Sequence, residues 1–530
     1  MRPHVETIPY SRLSRRFARF FVAWRDGDPR AAEFLPSAPS DPHAFKVAAE
    51  SRAGGRYPRM DLADALSARH RELGSPPPVL ASIEALRCPD TLCVLAGQQP
   101  LLAGGPLFVA FKAMTALALA RDLEGRLGVR CIPLFWNHSD DHDIAEVDCL
   151  GVPDGEGRCR FIRAGFPADR RPIRDLEDDA RLAEVRAALV AVLPETPHRD
   201  AVIQLVNSTR DARPAGWFTR ILTRWFGEEG LVVFEPGWFA RQSAPVLARA
   251  LESPGLVAEA VDSGGRALAA AGFPRLLPDP GAGIFLHEGG GRCRVEWTGD
   301  RLAWPGGEEA LPAMLRRLAD RPSDFSPGAA LRPVVQDALF PSVATVAGPN
   351  EASYLAQLGP LYRRLGTVPA PVVPRISATI LGPSIADAME ACHVSCETVL
   401  RGESFAPPLP DALGKCFAEA RREVEAALDR LGRATVGWGA GLALNHGKTR
   451  ERVLESIDIY ARKVATASRR GGGDRCVEAI RSHLTPDGRM QEQVLSGLWL
   501  LAHLGVDGFA GLADVLDYRA AGHQVVSVRT

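Results

Sequence analysis

An apolar run that stops at a glycine, gives way to one buried helix and then resumes as a second apolar run leaves few folds open. Residues 92–96 (Leu-Cys-Val-Leu-Ala) form the first run, which ends at Gly97. Unbroken apolar character over that length suits a strand buried on both faces, as in parallel sheets. The loop that follows carries Gly97, Gln98, Gln99, Pro100, Gly104, Gly105 and Pro106. Residues 107–123 then read as a helix with proline at its first position. Leu107, Phe111, Met114, Leu117 and Leu119 cover so much of its circumference that it must be largely buried. Residues 131–136 form the second strand. Two parallel strands joined by a helix make one right-handed crossover, so the spacing predicts an α/β fold with an open parallel sheet.

Further short apolar runs at 231–234, 343–346 and 371–374 supply more strands. The stretches between them do not continue the alternation. Residues 151–215 are charged and helical in pattern, most clearly over 175–192, and residues 284–304 read as a hairpin around a glycine turn. These are expected to be insertions, at about 151–215 and 245–330, in a doubly wound core that ends near residue 395. A chain of 530 residues exceeds what one core usually supports, and from residue 396 its character changes. Residues 411–431 and 448–468 are long, charge-laced helical patterns separated by a glycine-rich stretch at 437–447. They fold most simply as an antiparallel hairpin, with scaffolding or dimerisation as its role. The formal net charge of −1 gives no bulk electrostatic reason to expect nucleic acid or an anionic membrane as partner. The ten cysteines show no paired framework, the first residues hold no apolar signal core, and no apolar run reaches the roughly 20 residues that span a bilayer. A cytoplasmic location is expected.

Ligands of open α/β sheets bind beyond the carboxyl ends of the strands, where strand order reverses. Two loops at such ends carry polar residues that are hard to assign to a core. In the first, Gly97, Gln98, Gln99, Gly104 and Gly105 precede a helix whose free N–H groups and dipole could hold an anion, or form a tight packing turn. In the second, Asp140, Asp141, His142 and Asp143 follow His138 and precede Glu146. Adjacent carboxylates raise one another's pKa, and histidine titrates near neutrality, so this turn suits acid–base work or the binding of an amine. It also suits a helix cap, or a divalent metal held by His138, Asp140 and His142. Lys112, one of five lysines (Lys46, Lys112, Lys415, Lys448, Lys463), lies in the buried helix and could face a phosphate or carboxylate. Gln336 and Asp337 precede one strand, and Glu351 and Tyr354 follow it on a helix that opens at Gly348-Pro349. Arg375 and Ser377 follow the last strand and offer a fixed cation beside a hydroxyl.

At these segments the chain resembles the cysteine ligase family of bacillithiol biosynthesis, BshC. The likeness rests on Ala96-Gly-Gln-Gln-Pro with Gly104-Gly-Pro-Leu and Lys112, and on Phe135-Trp136 ahead of Asp140-Asp-His-Asp. It continues through Arg332-Pro-Val-Val-Gln-Asp, Ala347-Gly-Pro-Asn-Glu-Ala-Ser-Tyr, Pro374-Arg-Ile-Ser-Ala-Thr and Met490-Gln-Glu-Gln-Val-Leu. Ser139-Asp140 stand where the family usually has Gly-Glu, Leu101 where glycine is commoner, and Gln493 where arginine is usual.

The resemblance implies a Rossmann-type core over residues 1–395 with connecting insertions. It also implies a helical antiparallel coiled-coil domain with C-terminal helices over residues 396–530, through which a homodimer forms. It further implies an ATP-dependent ligase, with Mg and with ADP as product, that adds cysteine to glucosaminyl malate in the last step of bacillithiol biosynthesis. Asp140, Asp141, His142 and Asp143 are then expected to be catalytic. Gly97, Gln98, Gln99, Gly104, Gly105, Lys112, Gln336, Asp337, Glu351, Tyr354, Arg375 and Ser377 are expected to bind substrate, with no nucleotide site assignable. The rival expectations are a metal-dependent amidohydrolase and a thiol-metabolite binding protein that has lost catalysis.

Overall fold

In the computed structural model the described residues are 4–35, 41–154, 158–405, 411–435, 440–467 and 473–528. The predicted strands form at Leu92–Gln98 (β1), Cys131–Asn137 (β2), Val232–Phe234 (β3), Ser342–Ala347 (β4) and Val372–Pro374 (β5). They make one parallel sheet in the order β5-β4-β1-β2-β3. Read from the other edge, this is the doubly wound order of a nucleotide-binding fold, and strand order reverses between β1 and β4. Both faces are covered. Val94, Ala96 and Phe135 point into one apolar cluster, and their neighbours Cys93, Leu95 and Leu134 point into another.

The helix after β1, α1 (Leu107–Leu127), runs four residues past its predicted end and stops where Gly128 takes up a left-handed conformation. Pro106 stands just before the helix as its N-cap. The other helices that position the site are α2 (Pro214–Phe226), α3 (Arg332–Leu339) and α4 (Pro349–Leu355).

The first insertion opens with an antiparallel hairpin, Cys149–Pro153 with Cys159–Arg163, before its expected helix at Asp179–Val192. In the second, Ile284–Glu288 pairs with Gly291–Arg294 as predicted, whereas Glu296–Thr298 joins a separate small sheet with Arg301–Trp304 and Gly307–Ala310. Both ends of the chain meet in a three-stranded sheet: Gly522–Ser527 lies between His4–Pro9 and Ala378–Leu381.

Two long helices, α5 (Asp411–Ala434) and α6 (Ala440–Ala467), lie antiparallel, with Arg421 paired to Asp458 and Arg450 to Asp429. Of the glycine-rich separator expected at 437–447, residues 436–439 lie outside the described residues; Gly441 and Gly447 fall within α6. Beyond α6 the chain does not stay with the helical pair. Val494, Leu495, Leu498 and Leu501 pack into the same apolar cluster as α1. The helix that follows, Gly497–Val515, is long and apolar enough by length and composition to cross a membrane. Here it is a core helix, interrupted at Gly505, where φ is +69°.

Candidate functional site

The parallel pairing of β1 with β2 sets Gly97 beside Trp136 and Gln98 beside Asn137, and the His138 amide continues the ladder by donating to the Gln98 carbonyl at 2.9 Å. The glycine loop and the acidic–histidine loop therefore leave the sheet side by side. They open onto one cavity of about 830 Å³ at the reversal between β1 and β4, with Gln98, Gln99, His138, Asp141 and Glu146 in its wall. Helices α1, α3 and α4 add Lys112, Arg332, Glu351 and Tyr354.

Lys112 spends its three N–H groups on the protein: Gly97 O at 2.5 Å, Gln98 Oε1 at 3.1 Å and Glu351 Oε2 at 2.8 Å. It holds the glycine loop against α4 rather than presenting a free cation, which corrects the expectation that it faces a substrate anion. Burial depresses its pKa, with the Glu351 carboxylate working against that shift. Glu351 also accepts the Gly348 amide at 3.3 Å, at the start of α4.

Arg332 is partnered differently. It donates to His138 Nδ1 at 2.7 Å and to the Tyr354 hydroxyl at 2.7 Å, both neutral acceptors. Among the described residues no carboxylate lies within ion-pairing distance of it, although it is half-buried in the cavity wall.

Of the acidic turn, Asp141 reaches the cavity. Its carboxylate accepts from Gln99 Nε2 at 3.0 Å, from the His142 amide at 2.7 Å and from Arg292 at 3.4 Å. Burial pushes its pKa up, but Arg292, the His142 amide and Arg332 outweigh that and hold it below the usual range. Glu146, also in the wall, goes the other way: burial, then Asp143 and Asp141, raise its pKa, with Gln99 working against them. Two carboxylates with pKa values driven apart bracket one glutamine.

The other three members of the turn serve structure. Asp140 is buried and ion-paired with Arg174 at 2.5 Å, and Arg174 also holds His287 Nδ1 at 2.6 Å. His142 lies behind the cavity wall, its Nδ1 accepting from Arg292 at 3.3 Å and its ring tilted against Phe285. Asp143 is an exposed helix cap that accepts the Ala145 amide at 3.2 Å. The metal arrangement considered for His138, Asp140 and His142 does not form, because each side chain is turned to a different arginine. Among the described residues no group of three or more His, Cys, Asp or Glu is placed to hold a metal ion.

Gly104 and Gly105 are a packing turn rather than an anion cradle. Both are buried at φ near +80°, and a Cβ on either would stand 2.9 Å from Ile221 or Val109. The first amide of α1, on Leu107, donates to the Leu495 carbonyl at 2.8 Å, so the C-terminal segment occupies the place where an anion would bind.

Gln336 and Asp337 point away from the cavity. Gln336 donates to Thr345 Oγ1 at 3.0 Å, and Asp337 accepts from the Tyr362 hydroxyl at 2.8 Å and the Ala370 amide at 3.1 Å. Ser377 is buried between Glu492 (3.1 Å) and His523 (2.8 Å). Arg375 does reach the wall, anchored by Glu492 at 2.7 Å and lying over the Phe108 ring.

Sequence reasoning left Arg332, His138 and Glu146 out of the substrate site, although each stood inside or beside a motif it used. It had no signal for Arg16, Arg163 and Arg489, which reach the cavity from the N-terminal segment, the first insertion and the C-terminal segment.

Comparison with known proteins follows the same outline. A family model described as "Bacillithiol biosynthesis BshC, N-terminal Rossmann-like domain" matches residues 4–376. A Koribacter versatilis protein is 30% identical over 491 residues, 88% of this chain and 89% of its own length. A Symbiobacterium thermophilum protein is 29% identical over 96% of this chain and 97% of its own length. One from Salinibacter ruber is 26% identical over 97% and 96%. All three carry the name "Putative cysteine ligase BshC".

Proposed function

This chain belongs to the BshC family, and from that premise we propose that it is an ATP-dependent ligase that joins the carboxylate of cysteine to the amine of glucosaminyl malate, completing bacillithiol. The observation that carries the reading is the pairing of opposites in one cavity. Arg332 is a cation with no carboxylate of its own, and Asp141 and Glu146 stand in the same wall as an acidic pair. Burial lowers its pKa, but Tyr354, Glu351 and Asp141 outweigh that and raise it, so the charge persists in the cavity wall for an anionic reactant. An acidic pair is the complement of an ammonium group. Amide synthesis needs one anionic and one aminic reactant.

A carboxylate in water does not acylate an amine, because its oxygen is a poor leaving group. ATP, entering with Mg as a co-substrate, supplies the leaving group as phosphate or AMP; the chain's task is then positioning and charge stabilisation. Asp141 and Glu146 hold the amine, and Glu146, the weaker acid of the two, takes its proton as the C–N bond forms. Arg16, Arg163 and Arg489 at the mouth complement the two carboxylates of a malate group.

The homodimer belongs to the same proposal. Leu413, Leu431, Ile459 and Tyr460 expose apolar surface on α5 and α6, and a second copy would cover it. The cytoplasm is the proposed location, consistent with ten cysteines that form no disulfide.

The test is to incubate the purified protein with ATP, cysteine and glucosaminyl malate and to follow the amide by mass spectrometry. Amide formation with stoichiometric nucleotide turnover is expected; the absence of both would end the reading. A second experiment addresses Glu146. Since the base must be deprotonated, kcat/KM should fall as pH drops through the raised pKa of Glu146, above the ordinary carboxylate range. Glu146→Gln should remove that limb and lower kcat about 10²- to 10⁴-fold. A variant that keeps the limb would assign the base elsewhere.

A further inference from the structure

We propose that His138 is the hydrogen-bond donor to the acyl oxygen of the activated substrate, in a notch that exists because residue 97 is glycine; this rests on the ligase reading. The tautomer follows from the partner. A guanidinium can only donate, and Arg332 Nη1 stands 2.7 Å from His138 Nδ1, so Nδ1 is the acceptor and the ring proton sits on Nε2. Although His138 is only 9% exposed, it lines the cavity. Among the described residues no acceptor is within hydrogen-bonding distance of its Nε2. A donor without a protein partner at the cavity wall is free for a ligand oxygen.

The notch has a second wall. An ideal Cβ on Gly97 would stand 2.5 Å from His138 Nε2 and 3.0 Å from the Trp136 carbonyl. The backbone at Gly97 has an ordinary negative φ, so glycine is not required there by conformation. What it provides is room beside Nε2 that a methyl group would take. Lys112 donates to the Gly97 carbonyl at 2.5 Å, and Arg332 holds the far side of the ring, so the notch lies between two cations. Burial, Arg332 and Lys112 together hold the ring pKa well below its ordinary value, so it stays a neutral donor.

In the step this implies, the amine nitrogen attacks the acyl carbon and forms the C–N bond. The carbonyl π electrons move onto oxygen, where the Nε2–H hydrogen bond stabilises the charge without transferring its proton. As the tetrahedral species collapses, the bond from carbon to the phosphate-bearing oxygen breaks, and phosphate or AMP leaves with that electron pair. The amine proton passes to Glu146. His138 is thus a donor throughout, neither base nor metal ligand.

Two readouts test this, and one is independent of the reaction. In the intact protein labelled with ¹⁵N-histidine, His138, assigned by its loss in His138→Gln, should show the neutral Nε2–H tautomer across the pH range of the folded protein. An Nδ1–H tautomer, or conversion to imidazolium near neutrality, would overturn the proposal. In the coupling assay, His138→Ala should lower kcat about 10²- to 10³-fold with KM little changed. His138→Gln, which retains an N–H donor, should recover part of the loss. Gly97→Ala, whose methyl group would have to push the ring aside, should lower kcat comparably. An unchanged kcat in His138→Ala or Gly97→Ala would overturn the proposal even where the wild type forms amide. A wild type that forms none would instead remove the ligase reading and with it the step, and the tautomer measurement would tell the two failures apart.

Discussion

Replacing Arg332 by alanine is expected to lower kcat/KM by about 10³-fold, on the scale of losing one charge-stabilising donor with its buried partners. The same variant should lose only a little stability, about 1 kcal/mol. Arg332 carries a positive charge into the cavity wall and meets only the His138 ring nitrogen and the Tyr354 hydroxyl. Burial works against that charge, but Tyr354, Glu351 and Asp141 outweigh it and raise its pKa, the two carboxylates acting from beyond ion-pairing distance, so its removal costs the fold little while removing function. Arg332→Lys should behave like the alanine variant in activity, because a single ammonium cannot span Nδ1 and the hydroxyl as the guanidinium fork does. Steady-state kinetics and urea unfolding on the same preparations check both halves. A variant that loses stability in step with activity would mean that Arg332 is a structural residue.

Lys112 predicts the opposite pattern. Lys112→Met should destabilise the protein by about 3–5 kcal/mol, the usual consequence of removing one partner of a buried ion pair. Glu351 would be left facing the cavity with a charge that Lys112 had neutralised at 2.8 Å, and the Gly97 carbonyl and Gln98 amide would lose their donor. The double variant Lys112→Met with Glu351→Gln should recover much of that loss, since it removes the orphaned charge along with its partner. Equal destabilisation by the single and the double variant in chemical unfolding would contradict this account of the pair. Two cations in the wall of one cavity thus differ in kind: Lys112 is tied into the fold by an ion pair, and Arg332 is held by neutral acceptors.

The difference was not legible in the sequence, and the reason is physical. Periodicity and apolar runs report which residues are buried, so the strands at 92–98, 131–137 and 342–347 and the helix at 107–127 could be placed closely. Strand–helix–strand order also indicated where the sheet would open, and the two loops do share one cavity. Which side chains in those loops face it depends on partners far away in the chain. Asp140 is turned inward by Arg174, and His142 by Arg292 from the second insertion. Arg332 reaches His138 across 194 positions. The Gly104-Gly105 turn shows the same limit: its glycines looked like an anion cradle, but the chain around Leu495 returns to occupy the helix start, and no local pattern announces that return.

The most direct measurement of the central claim follows oxygen. Cysteine labelled with ¹⁸O in its carboxylate, incubated with ATP, glucosaminyl malate and the wild-type protein, should yield an amide that retains one labelled oxygen. The other should appear in the phosphate or AMP released. Product formed without label in either nucleotide-derived species would contradict an activated carboxylate in this cavity.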